Sequence, residues 1–510
     1  MHLASLDASI TAMSAHTPSA TDHSSAAPRV TPPAWAVMLV ACAGQFLVVL
    51  DVSVVNVALP SMRTDLGLGE TALQWVVNAY ALTFAGFLLL GGRAADLFGR
   101  KRAFLVGLGL FTAASLAGGL AQQPWQLIAA RAAQGLGAAV LSPATLTILT
   151  TSFPGGAART RAIGTWTAVG AGGGAAGGLV GGLLTDYLSW RWVLLVNVPV
   201  GALVLVAAGW WLVESRAAAG RRLDVPGAVL VTTGVASLAY GIVGTEQHGW
   251  GAAASLVPLL GGCALLVAFV AVEARTREPL MPLGLFRVRA VSAANAVMLV
   301  CGGGMFAMWY FMSLYLQNVL HFSPVQAGLA FLPHTLSIIL GSKLAPRLMG
   351  VVSGKTLAMA GGTMAVVGYA WQSRMDADGT FLGTVLGPAI VMSLGSGLMM
   401  TPLATAATSR AAPSEAGLVA GLVNTSRQIG GALGLAVLTA VAADRISATA
   451  TAATTATGAG GGAGDGSGGT GDGPGPVALA AGYGHAFTVA SCIIAAAVVL
   501  MAVALPHRRP

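Results

Sequence analysis

The feature that most constrains this sequence is a series of apolar runs, each about as long as a helix needs to cross a membrane. The hydrocarbon core of a bilayer is about 30 Å thick, and a spanning helix needs roughly 20 apolar residues. Charged residues make up only 9% of the chain. A transmembrane β-strand needs only about 10 residues, so runs of this length predict helices rather than a barrel. We predict fourteen spanning helices, at 36–58, 73–92, 103–121, 125–149, 163–184, 192–212, 226–244, 252–272, 291–313, 325–345, 355–372, 382–402, 417–442 and 482–504.

The distribution of basic residues predicts the orientation of these helices. If Trp35 faces the cytoplasm and the helices alternate in direction, 20 of the 26 Lys and Arg residues fall on the inner side, counting Lys343 and Lys355 at the inner ends of their helices, and two lie deeper within helices. Cytoplasmic loops of membrane proteins carry such an excess of positive charge. We therefore expect both termini to be cytoplasmic, and we interpret the net charge of +8 as a topology signal rather than a nucleic-acid-binding surface. The abundance of Ala and Gly, with many Arg and few Lys, is typical of a GC-rich bacterial genome and predicts a bacterial cytoplasmic membrane.

Two segments depart from the membrane pattern. Residues 1–34 are rich in Ala, Ser, Thr and Pro and have no basic stretch ahead of an apolar one, which predicts a disordered cytoplasmic tail rather than a signal peptide. Residues 444–481 are Gly-rich, which predicts a flexible linker on the outer side. The linker contains GGAGDG and GGTGDG, but two copies are too few for a calcium-binding repeat, and their spacing is wrong.

The sequence shows no catalytic or metal-binding constellation. Its four cysteines stand alone in apolar runs, without the spacing of metal ligands. There is no pattern of nucleophile and base, and no strand precedes the glycines at 172–182, which argues against a dinucleotide-binding turn. We therefore expect no enzyme activity, no cofactor and no metal.

One carboxylate, Asp51, lies inside the first predicted helix, in the stretch VVLDVSVVNVALP. A charge near the middle of a spanning helix costs about 2.5–3.5 kcal/mol on insertion scales, so it should face a cavity or a partner. Arg131 of the fourth helix is the expected partner, because at a rise of 1.5 Å per residue both side chains should lie roughly 10 Å below the outer surface. Gln134 shares the helix face of Arg131.

We hypothesise that Asp51, Arg131 and Gln134 couple proton binding to substrate binding. Removal from water favours the neutral acid, whereas a neighbouring guanidinium favours the carboxylate. The arrival or loss of a cationic substrate would therefore change the proton occupancy of Asp51. The alternative is a fixed structural pair that only orients helices. Acids in spanning helices are rarely without function, which favours the first interpretation.

Between the second and third predicted helices the chain reads GGRAADLFGRKR (91–102). Gly92 and Gly99 allow a tight turn and a close approach of helices, and Asp96 is placed either to cap the following helix or to bond Arg100. The pattern of a Gly, two small residues, Asp and then Gly-Arg-Lys resembles the loop signature of the major facilitator superfamily. By that resemblance the candidate gating residues are Gly92, Asp96, Gly99, Arg100 and Lys101.

Further segments are similar, in order and placement, to motifs of one family within that superfamily, the fourteen-helix drug:proton antiporters. LDVSVVNVALP (50–60) resembles the first-helix motif, and LIAARAAQGLGAA (127–139) resembles the fourth-helix motif, in which the arginine matches Arg131. The resemblance covers about residues 36–505, apart from the Gly-rich linker. The other similar segments are SWRWVLLVNVPVG (189–201), EPLMPLGLF (278–286), YLQNVLHFSPVQAGLAFLP (315–333) and NTSRQIGGALG (424–434).

This resemblance implies an all-α integral membrane protein with the major facilitator fold. Six-helix bundles are expected at 35–213 and 291–510, with an extra helix pair within 214–290. The implied function is proton-coupled export of amphipathic, often cationic, drugs or antibiotics by a monomer in the lipid bilayer. Two alternatives stay open: proton-coupled uptake of a small metabolite, and a membrane sensor that transports nothing, although neither the tail nor the linker looks like a sensor domain.

The fifth predicted helix departs from the family pattern. The family signature there contains a Gly-Pro pair, whereas this chain reads GGGAAGGLVGG (172–182), with Gly178 where proline is expected. Glycines four residues apart predict close packing against neighbouring helices. The departure leaves open whether this helix seals the protein as it does in antiporters. The candidate antiporter-helix glycines are Gly174, Gly177, Gly178, Gly181 and Gly182.

A Met-rich and aromatic cluster in the ninth predicted helix, with two amides, is a candidate substrate lining. Flexible Met side chains adapt to varied ligands, although packing in the core or against lipid is the commoner fate of such residues. His334 follows Pro333 at the predicted mouth of the tenth helix, where we favour a solvated position over a coupling role. The candidate lining residues are Asn56, Met305, Trp309, Tyr310 and Gln317.

Overall fold

The computed structural model describes residues 33–154, 157–215, 224–276, 279–408, 416–459 and 474–505. Within these ranges the secondary structure is helical, with no β-strand. The prediction of a disordered tail concerns residues that lie almost entirely outside the described ranges.

The first six spans are long helices with one internal break. The break follows Leu195, four residues before Pro199, because proline has no N–H to donate to the carbonyl four residues earlier. The break places Asn197 at the start of a new helical segment. The helices are α1 (Ala34–Leu66), α2 (Glu70–Phe98), α3 (Arg100–Gly119), α4 (Pro124–Ser152), α5 (Ala157–Tyr187), α6 (Trp192–Leu195) and α7 (Asn197–Trp211).

A helix pair and six further spans complete the fold. The pair is joined to the later helices by a connection at 276–288 that ends in a short 3₁₀ helix, Leu283–Arg287. A single π-helical segment, Phe381–Leu386, leads into α14. The helices are α8 (Val225–His248), α9 (Ala253–Arg275), α10 (Arg289–Asn318), α11 (Pro324–Ala330), α12 (Leu332–Leu348), α13 (Gly354–Gln372), α14 (Gly387–Thr408), α15 (Ala416–Ala459) and α16 (Pro476–Ala504).

The helices pack as two bundles with the α8–α9 pair beside them. In the first bundle, α4 packs against α2 and α3, and α1 packs against α5. In the second, α10 packs against α15 and α16, and α14 packs against α12 and α13. The bundles meet where α5 contacts α11, where α2 contacts α15 and where α1 contacts α10, and α8 lies against α2 and α15. This arrangement places Asp51 of α1 and Arg131 of α4 inside the first bundle.

Each of the fourteen predicted spans coincides with one helix or, at 192–212 and 325–345, with two consecutive helices. Thirteen helices among the described residues are long and apolar enough to cross a membrane. The remaining one, predicted at 355–372, is α13, whose 19 residues are less apolar because Lys355 and Gln372 lie at its ends. The Nζ atom of Lys355 donates hydrogen bonds to the carbonyl oxygens of Ala502 and Leu505 at the C-terminal end of α16.

The predicted linker at 444–481 is too long at both ends. The α15 helix continues to Ala459, and α16 already begins at Pro476. The sequence RISATATAATTATGA after Asp444 is rich in alanine, which has the highest helix propensity and extends the helix beyond the apolar run. The Gly-rich part, 460–473, lies outside the described residues.

Candidate functional site

Asp51 lies at the centre of a buried polar network inside the first bundle. Its side chain has no exposed surface, and that of Arg131 is 2% exposed. The Nη1 atom of Arg131 lies 2.5 Å from Asp51 Oδ2. Gln134 donates from Nε2 to Asp51 Oδ1 at 3.0 Å. The structure therefore brings together the three residues singled out for a coupling site.

Arg131 is held from several sides besides Asp51. Its Nε donates to the carbonyl oxygen of Val76 in α2 at 3.1 Å, and its Nη1 also donates to Gln134 Oε1 at 3.0 Å. The guanidinium carbon lies 4.4 Å from the centre of the Tyr80 ring, which is the geometry of a cation–π contact. Because these partners come from both α2 and α4, the guanidinium is fixed where those two helices pack together.

Two residues of the network were missed in the sequence analysis. Asn197 donates from Nδ2 to Asp51 Oδ1 at 2.9 Å, and Ser115 Oγ accepts from Gln134 Nε2 at 2.6 Å. Both side chains are fully buried. Their depth in the membrane was the available signal. Each is a polar residue in an apolar run, and each lies near that end of its helix which is level with Asp51 and Arg131. The break before Asn197 gives it this position at the start of α7.

The network has a definite chemical consequence. Removing two charges from water costs several kcal/mol per ion, which only close pairing and further hydrogen bonds can offset. Here both oxygens of Asp51 accept hydrogen bonds, and Arg131 is paired with the carboxylate. Removing one member of such a buried pair costs about 3–5 kcal/mol, since the other charge stays uncompensated. Loss of the negative charge on Asp51 would therefore leave Arg131 without its counterion.

A small cavity of about 20 Å³ borders Arg131 and reaches the second bundle. It is large enough for a single water molecule, whereas drug-sized ligands occupy pockets of about 300–1,000 Å³. Substrate binding at this place therefore requires the bundles to move apart. The cavity is lined by Val52, Val55, Asn56, Val77, Tyr80, Ala81, Arg131, Phe306 and Gln428.

Of the five candidate lining residues, the structure places only Asn56 in this cavity. Gln317 instead donates from Nε2 to the carbonyl oxygen of Val57, which joins α10 to α1. Trp309 stacks on Phe331, with ring centres 4.7 Å apart. Two residues lie elsewhere in the second bundle: Tyr310 is buried in the core, and Met305 is half-buried.

His334 is fully buried, so the expectation of a solvated histidine was wrong. It lies in α12, and its Nδ1 is 3.1 Å from Ser393 Oγ of α14. Pro333 occupies the first turn of this helix, where a missing N–H costs nothing, so the helix begins before the histidine rather than after it. The packing of α14 over this turn, which sequence spacing does not reveal, excludes water.

The predicted loop at 91–102 is a corner formed by a single residue. The α2 helix continues through Gly92 to Phe98, and α3 begins at Arg100. Gly99 lies between them with a φ of 112°, a conformation that favours glycine. Gly92 is therefore not part of a turn: it lies within α2 and faces α4, where an added Cβ would be 3.5 Å from Pro143 Cβ.

The charged residues at this corner bind each other and the start of α3. Asp96 pairs with Arg100 at 3.2 Å, which is one of the two roles considered for it. The start of α3 is instead capped by Glu214, which follows α7 and accepts hydrogen bonds from the backbone N–H groups of Lys101 and Arg102, each at 3.2 Å. The α2–α3 corner is thus tied to the end of the sixth span.

The glycines of α5 serve two different contacts. Gly174, Gly177 and Gly181 face α1: Ser53 Oγ donates to the carbonyl oxygen of Gly174 at 2.8 Å, and an added Cβ on Gly181 would lie 2.9 Å from the carbonyl oxygen of Val54. Gly178 and Gly182 face α11 in the second bundle. A Cβ added to Gly178 would lie 3.1 Å from the carbonyl oxygen of Gly328, and one added to Gly182 would lie 2.7 Å from Val325 Cα. The glycines therefore permit close packing both within the first bundle and between the bundles.

Comparisons with known proteins agree with this architecture. A family model described as Major Facilitator Superfamily matches residues 41–435. The chain is 50% identical over 416 residues to the cephamycin export protein of Amycolatopsis lactamdurans, a match that covers 81% of this chain and 86% of that protein. It is 42% identical over 420 residues to the puromycin resistance protein of Streptomyces alboniger, covering 82% of this chain and 83% of that one.

Solved structures share the fold at low sequence identity. A bacterial homolog of the human lysosomal transporter Spinster, in an inward-facing and unoccupied conformation, matches with a TM-score of 0.64 at 17% identity, over 92% of this chain and 96% of that one. An auto-inhibited peptide transporter of the POT family matches with a TM-score of 0.63 at 15% identity, over 93% and 98% of the two chains. With thirteen helices of membrane-spanning length and apolarity among its described residues and its match to the family model over most of its length, the chain belongs to the major facilitator superfamily of multi-pass membrane transporters.

Proposed function

We propose that this protein exports amphipathic drugs or antibiotics across the bacterial cytoplasmic membrane in exchange for protons. The observation that carries the proposal is the buried Asp51–Arg131 pair, in which the carboxylate is held by three side chains from two other helical segments. The similarity to proteins named for cephamycin export and puromycin resistance favours export over uptake. Proton binding at Asp51 is the step that links the two fluxes.

The contacts between the bundles support a cycle of alternating access. On the side of the membrane where α1 ends, α5 packs on α11, and Gln317 and Ser313 of α10 bond the backbone of α1. The positive-inside pattern predicts that this is the outer side. In the exchange cycle these contacts open, a proton from outside neutralises Asp51, and substrate leaves outward. The contacts then re-form as Asp51 releases its proton inward and binds Arg131 again.

The cavity beside Arg131 supports an amphipathic substrate. Its wall combines the rings of Tyr80 and Phe306 with the amides of Asn56 and Gln428 and with several valines. Such a mixture binds apolar bodies that carry a polar group. We propose that a separation of the bundles enlarges this cavity into the substrate site, that a monomer embedded in lipid carries out transport, and that no nucleic acid takes part.

Expression of this protein in a bacterial strain that lacks its own drug pumps should raise resistance to some compounds and leave others unaffected. The panel should include cephamycins, puromycin and lincomycin, because relatives are named for export of, or resistance to, these drugs. The measurement is the minimal inhibitory concentration, with and without an uncoupler that collapses the proton gradient. If no compound in a broad panel of amphipathic drugs shows uncoupler-sensitive resistance, export is not its function.

The proposed orientation, with both termini in the cytoplasm, predicts which loops a membrane-impermeant reagent can reach. In a background with all four cysteines replaced, Gly251→Cys, between α8 and α9, should react from outside intact cells with a charged maleimide. Val351→Cys, between α12 and α13, is 78% exposed in the protein and should react only after the membrane is opened. The opposite labelling pattern would reverse the orientation.

A further inference from the structure

The α8–α9 pair carries two buried carboxyl groups that are distant in sequence from the Asp51 network. Asp224 immediately precedes α8 and is 4% exposed, and Glu273 lies in the last turn of α9 and is 2% exposed. Each has one oxygen on a backbone donor: Asp224 Oδ1 accepts from Gly227 N at 2.9 Å, and Glu273 Oε2 accepts from Met281 N at 3.0 Å. The other oxygens, Asp224 Oδ2 and Glu273 Oε1, have no hydrogen-bond donor.

These two remaining oxygens lie close to the same point beside Gly227. A Cβ added to Gly227 would lie 2.7 Å from Asp224 Oδ2 and 2.8 Å from Glu273 Oε1, so both oxygens converge on one place. The two side chains are within hydrogen-bonding reach. Two ionised carboxylates in such a dry site would repel each other, which favours a state in which one proton stays on the pair. With that proton, one carboxyl donates to the other, and both oxygens are satisfied.

The basic groups around this pair are engaged elsewhere or face solvent. Among the described residues neither carboxyl takes part in an ion pair with a basic side chain. Arg93 of α2 donates from Nη2 to the carbonyl oxygen of Pro279, and Arg275 and Arg287 are exposed. At the neighbouring α2–α3 corner, Asp96 pairs with Arg100, and Glu214 caps α3. The other charged residues close in sequence, Arg216, Arg221, Arg222, Arg277 and Glu278, lie outside the described part of the chain.

We propose that Asp224 and Glu273 form a second proton-binding site, in which the two carboxyl groups share one proton and thereby hold the α9–α10 connection in place. The proton comes from bulk water and returns to it. Glu273 binds the backbone of Met281, and Arg93 of the first bundle binds the backbone of Pro279. The shared proton thus stabilises the contact between the helix pair, this connection and α2. Raising the pH removes the proton, leaves two like charges and loosens the connection.

Infrared pH-difference spectra of the purified protein test for the shared proton. The wild-type protein should show the carbonyl band of a buried carboxylic acid that disappears as the pH rises. Glu273→Gln and Asp224→Asn should each remove this band, because a single remaining carboxylate then accepts a hydrogen bond from the new amide. Each amide also keeps the oxygen that accepts from the backbone, so both variants should fold. Asp96→Asn, whose carboxylate pairs with Arg100, is the matched control and should leave the band unchanged.

Hydrogen exchange of the connection at 279–288 tests the structural effect. After correction for the intrinsic pH dependence of exchange, its amides should exchange about tenfold faster in the wild-type protein once the proton is lost, as expected when a local contact opens. In Glu273→Gln the exchange should stay slow at every pH. A band whose intensity is unchanged in both variants, or its absence from the wild-type protein at every pH, would overturn the proposal; protonation of Asp51, which neither variant removes, would give a separate contribution. Both measurements need no substrate, so their outcome is independent of whether the protein exports drugs.

Discussion

Replacing Asp51 with asparagine should abolish drug efflux driven by an imposed proton gradient, while the protein still inserts into the membrane. Asparagine cannot carry the negative charge that binds Arg131, nor take up and release a proton near neutral pH. Leaving the guanidinium without its counterion should also lower the free energy of unfolding by about 3–5 kcal/mol. The measurement is substrate flux in vesicles that contain the purified variant, with the pH gradient applied in either direction. Efflux should fall to the level of empty vesicles.

Two controls separate loss of coupling from general damage. Asp65→Asn removes another carboxylate of α1, one that pairs with Arg191 at the helix end and is 46% exposed. This variant should keep proton-driven efflux, because exposed ion pairs contribute only about 0–1 kcal/mol. Exchange of labelled for unlabelled substrate without a pH gradient should persist in Asp51→Asn, since it requires binding and alternating access but no proton. If Asp51→Asn keeps full pH-driven efflux, the pair is a fixed structural one.

The sequence predicted the centre of this site because charge is so rare in spanning helices. An acid and an arginine at equal depth have few other partners, so Asp51 and Arg131 could be paired from helix rise alone. Asn197 and Ser115 were not predicted, because neutral polar residues occur throughout apolar runs and the sequence does not show which helix faces which. Their roles depend on the packing of α3 against α4 and α7, and of α7 against α1.

The same reason explains the errors elsewhere. Helices were located correctly because hydrophobic length is a local property, but residue environments depend on packing between distant segments. His334 was expected in solvent and is buried by α14. Gln317, a candidate for the substrate lining, bonds the backbone of α1 in this structure, a contact that its sequence position does not reveal. The end of α15 was placed too early because alanine propensity continues a helix past the membrane-length run.

Replacing Gly182 with leucine should hold the protein in a state in which α5 and α11 are separated. The position of the new Cβ would lie 2.7 Å from Val325 Cα, and the clash is with backbone, which cannot move aside as a side chain can. Overpacking of this kind costs about 1–3 kcal/mol. Only the state with these helices in contact bears that cost, so the equilibrium should shift toward the open state by about tenfold to a hundredfold. Transport should fall, because every cycle requires this contact to form again.

Spin labels at Tyr187 of α5 and Leu329 of α11, which are both exposed, report this separation directly. In Gly182→Leu the distance distribution between the labels should move to longer values, and adding substrate should not return it to the short distance.

Gly172→Leu is the matched control, since Gly172 lies on the same helix with open space around it. It should keep both the short distance and the transport rate. An unchanged distribution in Gly182→Leu would show that glycine is not required for this contact. The close approach of Gly178 to α11 on the same face would then also be no evidence that this contact needs glycine.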